Sequence, residues 1–143
     1  MERRLWRGRF CRASRRFVLI WRIFFRDSGI FHTLLGISDF DALSKHRKMG
    51  ASWEGYAVEG VLRKLKPRES FSWGVHNGPS LDLLCFKEGR RLEFEVKYQD
   101  APRLTRSMVG ALDILKLDEF KIIYPGKLKY VLNEKIEVIP LEQ

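Results

Sequence analysis

Apolar residues recur along this chain with a period that changes several times, and each change marks an element. From Ser52 to Lys66 the positions Ala57, Val58, Val61, Leu62 and Leu65 fall at helical spacing and Pro67 closes the run, which predicts a helix. Three strand-like runs follow, Ser70 to Val75, Leu81 to Phe86 and Arg91 to Tyr98. The turn sequences His76-Asn77-Gly78-Pro79 and Lys87-Glu88-Gly89 separate them, so they predict an antiparallel meander. Thr105 or Ser107 can cap a second helix carrying Met108, Ala111, Leu112 and Leu115, after which Phe120 to Tyr124 is predicted as a strand ended by Pro125-Gly126. Leu128, Tyr130 and Leu132 alternate, as do Ile136 and Val138, and predict a short hairpin-like tail.

Ahead of this block, Asp27 or Ser28 can cap a short helix with an apolar stripe of Ile30, Phe31, Leu34 and Leu35, which Gly36 ends. The polar stretch Ser44 to Lys48 reads as a connector. The chain divides into a basic arm over 1–25, a helical lead-in over 26–49 and an α/β domain over 50–143, without internal repeats. The order helix, three strands, helix, strand predicts a small mixed sheet with a helix against each face.

Composition sharpens this picture. At 143 residues the chain suits one domain, and 45% hydrophobic with 31% charged residues excludes a disordered polymer. Of the net charge of +9, residues 1 to 26 supply +8, from nine Arg against Glu2, leaving +1 for the rest. Charge-driven, non-specific DNA contact is therefore expected of the arm, and the domain has no strong overall field to steer phosphate. Cys11 and Cys85 show neither C-x-x-C nor His-rich spacing, so reduced thiols in a cytoplasmic protein are expected, with Cys85 buried in the run Leu83-Leu84-Cys85-Phe86. The apolar stretch Phe17 to Phe25 is interrupted by Arg22 and falls far short of the ~20 residues of a spanning helix, so no transmembrane segment is expected. An interfacial anchor of arginines interleaved with Trp6, Phe10, Phe17 and Trp21 stays open for the arm.

Candidate chemistry gathers on the third predicted strand. Leu92, Phe94, Val96 and Tyr98 face one way, whereas Glu93, Glu95, Lys97 and Gln99 make a polar second face, read as a site or as an exposed, salt-bridged edge. Asp82, at the head of the neighbouring strand, is close enough in a tight meander to join Glu95. Two carboxylates with a lysine two residues from one of them suit phosphodiester hydrolysis: Asp82 and Glu95 would hold Mg²⁺ or Mn²⁺, and Lys97 would position water or stabilise developing negative charge. Glu54 shares the helix face of Ala57, Val58, Val61 and Leu65, so it points toward the sheet or is satisfied as a first-turn acid. Glu59 and Arg63 read as an ordinary solvated helix pair. His32, His46 and His76 share no metal spacing, and Trp53, Tyr56 and Trp73 read as core.

The string Arg26-Asp27-Ser28-Gly29-Ile30-Phe31-His32-Thr33-Leu34-Leu35-Gly36-Ile37, followed by Gly50-Ala51-Ser52-Trp53-Glu54-Gly55-Tyr56, resembles the uncharacterised domain that closes many bacterial and archaeal AAA+ ATPases. Leu81-Asp82-Leu83-Leu84, Phe94-Glu95-Val96-Lys97, Asp100-Ala101-Pro102 and Tyr124-Pro125-Gly126 continue it in the same order, over about residues 26 to 141. Such domains resemble the PD-(D/E)XK nuclease superfamily. The resemblance implies a restriction-endonuclease-like fold with Glu54 as the first-helix acid, Asp82 and Glu95 as metal-binding carboxylates and Lys97 as the catalytic lysine. Leu81 departs from that superfamily's proline before the aspartate.

Gly55 and Gly60 have P-loop separation, but Val61-Leu62 follow in place of Lys and Ser/Thr, so this chain has no ATP site. The expectation is of a prokaryotic domain cut off from its motor, its arm opening onto unrelated sequence. Three functions remain open: a metal-dependent nuclease-like domain binding or cleaving DNA, a catalytically silent module for self-association or for pairing with an ATPase module, and a gene remnant without function. The second requires an exposed apolar patch, for which Ile30, Phe31, Leu34 and Leu35 are candidates.

Overall fold

The computed structural model describes residues 25–74 and 80–142. The basic arm, apart from Phe25, and the turn containing His76 therefore lie outside the described residues. Helix α1 spans Ser28–Leu34; the Asp27 carboxylate accepts the Gly29 and Ile30 amides at 2.7 and 3.3 Å, two donors the first helical turn cannot satisfy itself. Gly36 follows at φ +67°, a left-handed position where a side chain would be strained. A second short helix, α2 (Phe40–Ser44), lies within the helical lead-in and takes only the first residue of the expected connector; Asp39 caps it through the Ala42 amide at 2.8 Å. That hydrogen bond, helped by Ser38, holds the Asp39 carboxyl below its ordinary range.

Helix α3 (Met49–Leu65) starts three residues before its predicted start. His32 Nε2 and Ser52 Oγ lie 2.7 Å apart and tie α1 onto its first turn. The predicted meander is present as β1 (Glu69–Gly74), β2 (Ser80–Lys87) and β3 (Arg90–Val96), antiparallel throughout. Thr105 caps α4 (Arg106–Leu115), and the crossover through this helix returns the chain as β4 (Glu119–Tyr124), parallel to β3. The tail, β5 (Tyr130–Val131) and β6 (Ile136–Pro140), is an antiparallel hairpin that joins the sheet, with β6 docked parallel on β4 and β5 on its outside.

The result is a mixed α/β domain with a six-stranded sheet in the order β1-β2-β3-β4-β6-β5. On one face Leu83, Cys85, Leu92, Phe94, Val96 and Ile123 pack under Ala57, Val58 and Val61 of α3. On the other, Leu81, Phe120, Ile122, Ile136 and Val138 pack under Met108, Ala111 and Leu115 of α4. β3 is thus interior, with paired neighbours on both sides and a helix layer on both faces. Among the described residues no helix is long and apolar enough to cross a membrane.

Candidate functional site

Position within the sheet decides what the polar face of β3 becomes. Glu93 stands beside Leu84 and Phe120, and Glu95 beside Ile122, so both carboxylates enter the layer that α4 covers. Glu93 is completely buried and Glu95 is 7% exposed, which removes the reading of this face as a solvated edge. The strand ends at Val96, where the Lys97 amide closes the ladder onto the Ile123 carbonyl at 2.9 Å, and Gln99 lies beyond it. The Lys97 ammonium turns back to form an ion pair with Glu95.

A β-bulge places Asp82. Between the pairs Phe71 with Leu84 and Trp73 with Leu81, three steps along β2 oppose two along β1, so β2 carries one extra residue at Asp82-Leu83. The Ser72 hydroxyl donates to the Asp82 carbonyl at 2.8 Å and holds the bulge. The β2–β3 ladder ends at Leu83 with Phe94, and beyond it the Asp82 carboxylate accepts the Val96 amide at 2.9 Å in place of a backbone carbonyl. Asp82 is thereby fixed against β3, at 5% exposure.

The charges of Glu95 and Asp82 both reach Glu93. Burial pushes the Glu93 carboxyl well above its ordinary range, and the nearby charges of Glu95 and then Asp82 push it further. Neither Glu93 oxygen makes a hydrogen bond of normal geometry, and the approaching amides of Leu83 and Asp82 offset only part of the shift. Glu93 is therefore the acid of this cluster whose ionisation the fold disfavours. It is the one residue of the cluster that motif spacing does not single out.

Glu54 belongs to another layer. Its helix packs against the Leu92, Phe94 and Val96 face, opposite the carboxylates, although Trp53 contacts Tyr98 with ring centroids 6.1 Å apart and so brings the first turns of α3 to the end of β3 that carries Lys97. Glu59 is not an ordinary solvated acid: it is largely shielded and serves Arg63 at 3.2 Å and Arg26 at 3.6 Å together. Tyr56, read as core, is 58% exposed. Cys85 is completely buried, and burial, with the charge of Glu93 behind it, pushes its thiol up to about 12.

Divalent-cation chemistry makes modest demands of a donor set. Among the described residues no three His, Cys, Asp or Glu side chains converge as a dedicated metal cage. Mg²⁺ needs none: it is commonly held by one or two carboxylates and completes its octahedron with waters and substrate phosphate. Asp82 and Glu95, each nearly fully buried and each near enough to Glu93 for its charge to act there, are the two carboxylates to consider for it.

Among known proteins the chain is similar to an uncharacterized protein of Mycobacterium bovis and to one of Mycobacterium tuberculosis, each 38% identical over 122 residues. The match takes in 85% of this chain but 28% of each relative. No family model matches the chain, and no solved structure matches it.

Proposed function

We propose that this chain is a PD-(D/E)XK nuclease-like domain that binds Mg²⁺ or Mn²⁺ and acts on DNA, of the kind that closes AAA+ ATPases. The observation that carries the reading is the bulge that pins the Asp82 carboxylate to the Val96 amide, next to Glu95 and its lysine partner. The succession α3, three antiparallel strands, α4 and a parallel fourth strand is the arrangement that the resemblance implies, and it supports the restriction-endonuclease-like assignment. The length that the mycobacterial relatives carry beyond the matched 28% leaves room for a motor.

In this reading Asp82 and Glu95 hold the cation, which when bound supplies an activated water and offsets charge on the scissile phosphate. The Val96 amide orients Asp82. Lys97, whose ammonium pairs with Glu95, would stabilise negative charge developing on the phosphate. Glu54 approaches from α3 at the strand end.

Thermal denaturation in Mg²⁺ or Mn²⁺ tests the reading. Cation binding to the native state should raise Tm, and Asp82→Asn with Glu95→Gln should abolish the rise while leaving the fold intact. Lys97→Ala should keep the rise and lose cleavage of a DNA substrate. A wild-type chain whose Tm ignores both cations would end the nuclease reading.

A second reading has its own observation. Ile30, Leu34 and Phe40 are 55%, 68% and 71% exposed on the lead-in helices, the apolar surface that a catalytically silent association module needs.

A further inference from the structure

A groove of about 960 Å³ opens between α1, α3 and the carboxyl ends of β4 and β6, with Trp53 and Tyr56 in its wall. Trp53 is the middle member of an aromatic row: its ring centroid lies 6.2 Å from Tyr56 and 6.1 Å from Tyr98. The two outer rings are exposed, Tyr56 at 58% and Tyr98 at 48%. The row therefore presents two exposed rings, tilted 45° and 51° to a half-buried indole, and it ends one residue from Lys97. At the Tyr56 end, Arg63 and Arg26 share the single carboxylate of Glu59 and leave both guanidiniums largely in solvent. The indole N–H of Trp53 is buried and has no acceptor among the described residues.

We propose that Tyr56, Trp53 and Tyr98 form a stacking platform for single-stranded nucleic acid, with Arg63 and Arg26 meeting its phosphates and the strand leading to Lys97. Exposed aromatic rings in a row beside cations take up unstacked bases of any sequence, because every base has a π face. Bases paired in a duplex present no such face. The acids in the groove wall, Asp27, Glu59 and Glu142, keep it from being a general cation-rich surface, so affinity here rests on stacking more than on charge. The inference deepens the nuclease-like reading and rests on it only for the strand's destination.

The test titrates the full chain with a fluorescently labelled oligothymidine and with a duplex, following anisotropy over a series of salt concentrations. Tyr56→Ala and Tyr98→Ala should each weaken single-strand binding roughly 5- to 100-fold at every salt concentration, without changing the slope against log salt. Tyr56→Phe and Tyr98→Phe should bind like wild type, since the ring is kept. Duplex affinity should change little in any variant. Alanine variants that bind the single strand like wild type, or that lose duplex binding equally, would overturn the platform and leave the cation-site reading untouched. Conversely, a chain that stacks the strand through both tyrosines but shows no cation-dependent rise in Tm would uphold the platform while the nuclease reading falls.

Discussion

Glu93 shows how one side chain depends on its strand's address. As the acid of an alternating strand it looks like half of a solvated surface, yet in an interior strand it is completely buried and feels the charges of two other carboxyl groups. Its folded-state pKa is raised, so between the unfolded value and the folded one the native state holds a proton that the unfolded state has released. Stability from this group is full below about pH 4.5 and falls as pH rises toward the folded pKa. Glu93→Gln keeps the shape and cannot ionise. It should raise Tm at pH 7 by a few degrees and flatten the decline in Tm above pH 4.5; an unchanged pH profile would mean the carboxyl finds a partner in solution.

Gly126 is a second single-residue case. The Tyr124 hydroxyl donates to the Leu128 carbonyl at 2.6 Å and accepts the Leu128 amide at 2.9 Å, folding the turn around the ring. A Cβ on Gly126 would stand 2.1 Å from that ring, whereas one on Gly50, in α3, meets nothing within 4 Å. Gly126→Ala should therefore lower Tm by roughly 3–12 °C, the effect of about 1–3 kcal/mol of overpacking, and Gly50→Ala should leave it unchanged or raise it slightly.

At the scale of elements, what the sequence makes legible follows from period. Ala57, Val58, Val61 and Leu65 define α3, and the two turns between apolar runs define the meander, because both signals are local. The bulge in β2 is not legible: Leu81, Leu83, Leu84 and Cys85 form a nearly continuous apolar run, which looks the same with or without an extra residue. Nor is the burial of Glu93 and Glu95, which depends on β4 returning beside β3 through α4. The acids at 82 and 95 and the lysine at 97 were readable from spacing and resemblance, their neighbour at 93 only from the sheet order. α2 escaped because five residues hold too little periodicity, although Asp39 ahead of Phe40 is a usable cap signal. The attachment of α1 rests on His32 and Ser52, so Ser52→Ala should cost about 1 kcal/mol and act locally. Amide hydrogen exchange should rise over residues 28–34 while β2 and β3 stay protected; a uniform rise would show that α1 and the sheet unfold together.

For the whole molecule, the uneven spread of polarity separates the two functional readings. The sheet is covered on both faces, so its apolar demand is met internally, and yet the lead-in helices keep Leu34 and Phe40 mostly in solvent. Such a surface contributes little to the domain's own fold. Leu34→Lys with Phe40→Lys should consequently leave Tm within a few degrees of wild type, because neither side chain loses a core contact. If this face mediates association, the wild-type chain should gain apparent mass with concentration in sedimentation equilibrium and the double variant should stay monomeric. Cation-induced stabilisation should be equal in both, since α1 and α2 lie apart from Asp82 and Glu95. Loss of the cation response together with association would mean that the carboxylate site is completed only in the assembly, which joins the two readings into one. A wild-type chain that is monomeric at every concentration would remove self-association and leave the face to a partner of another sequence.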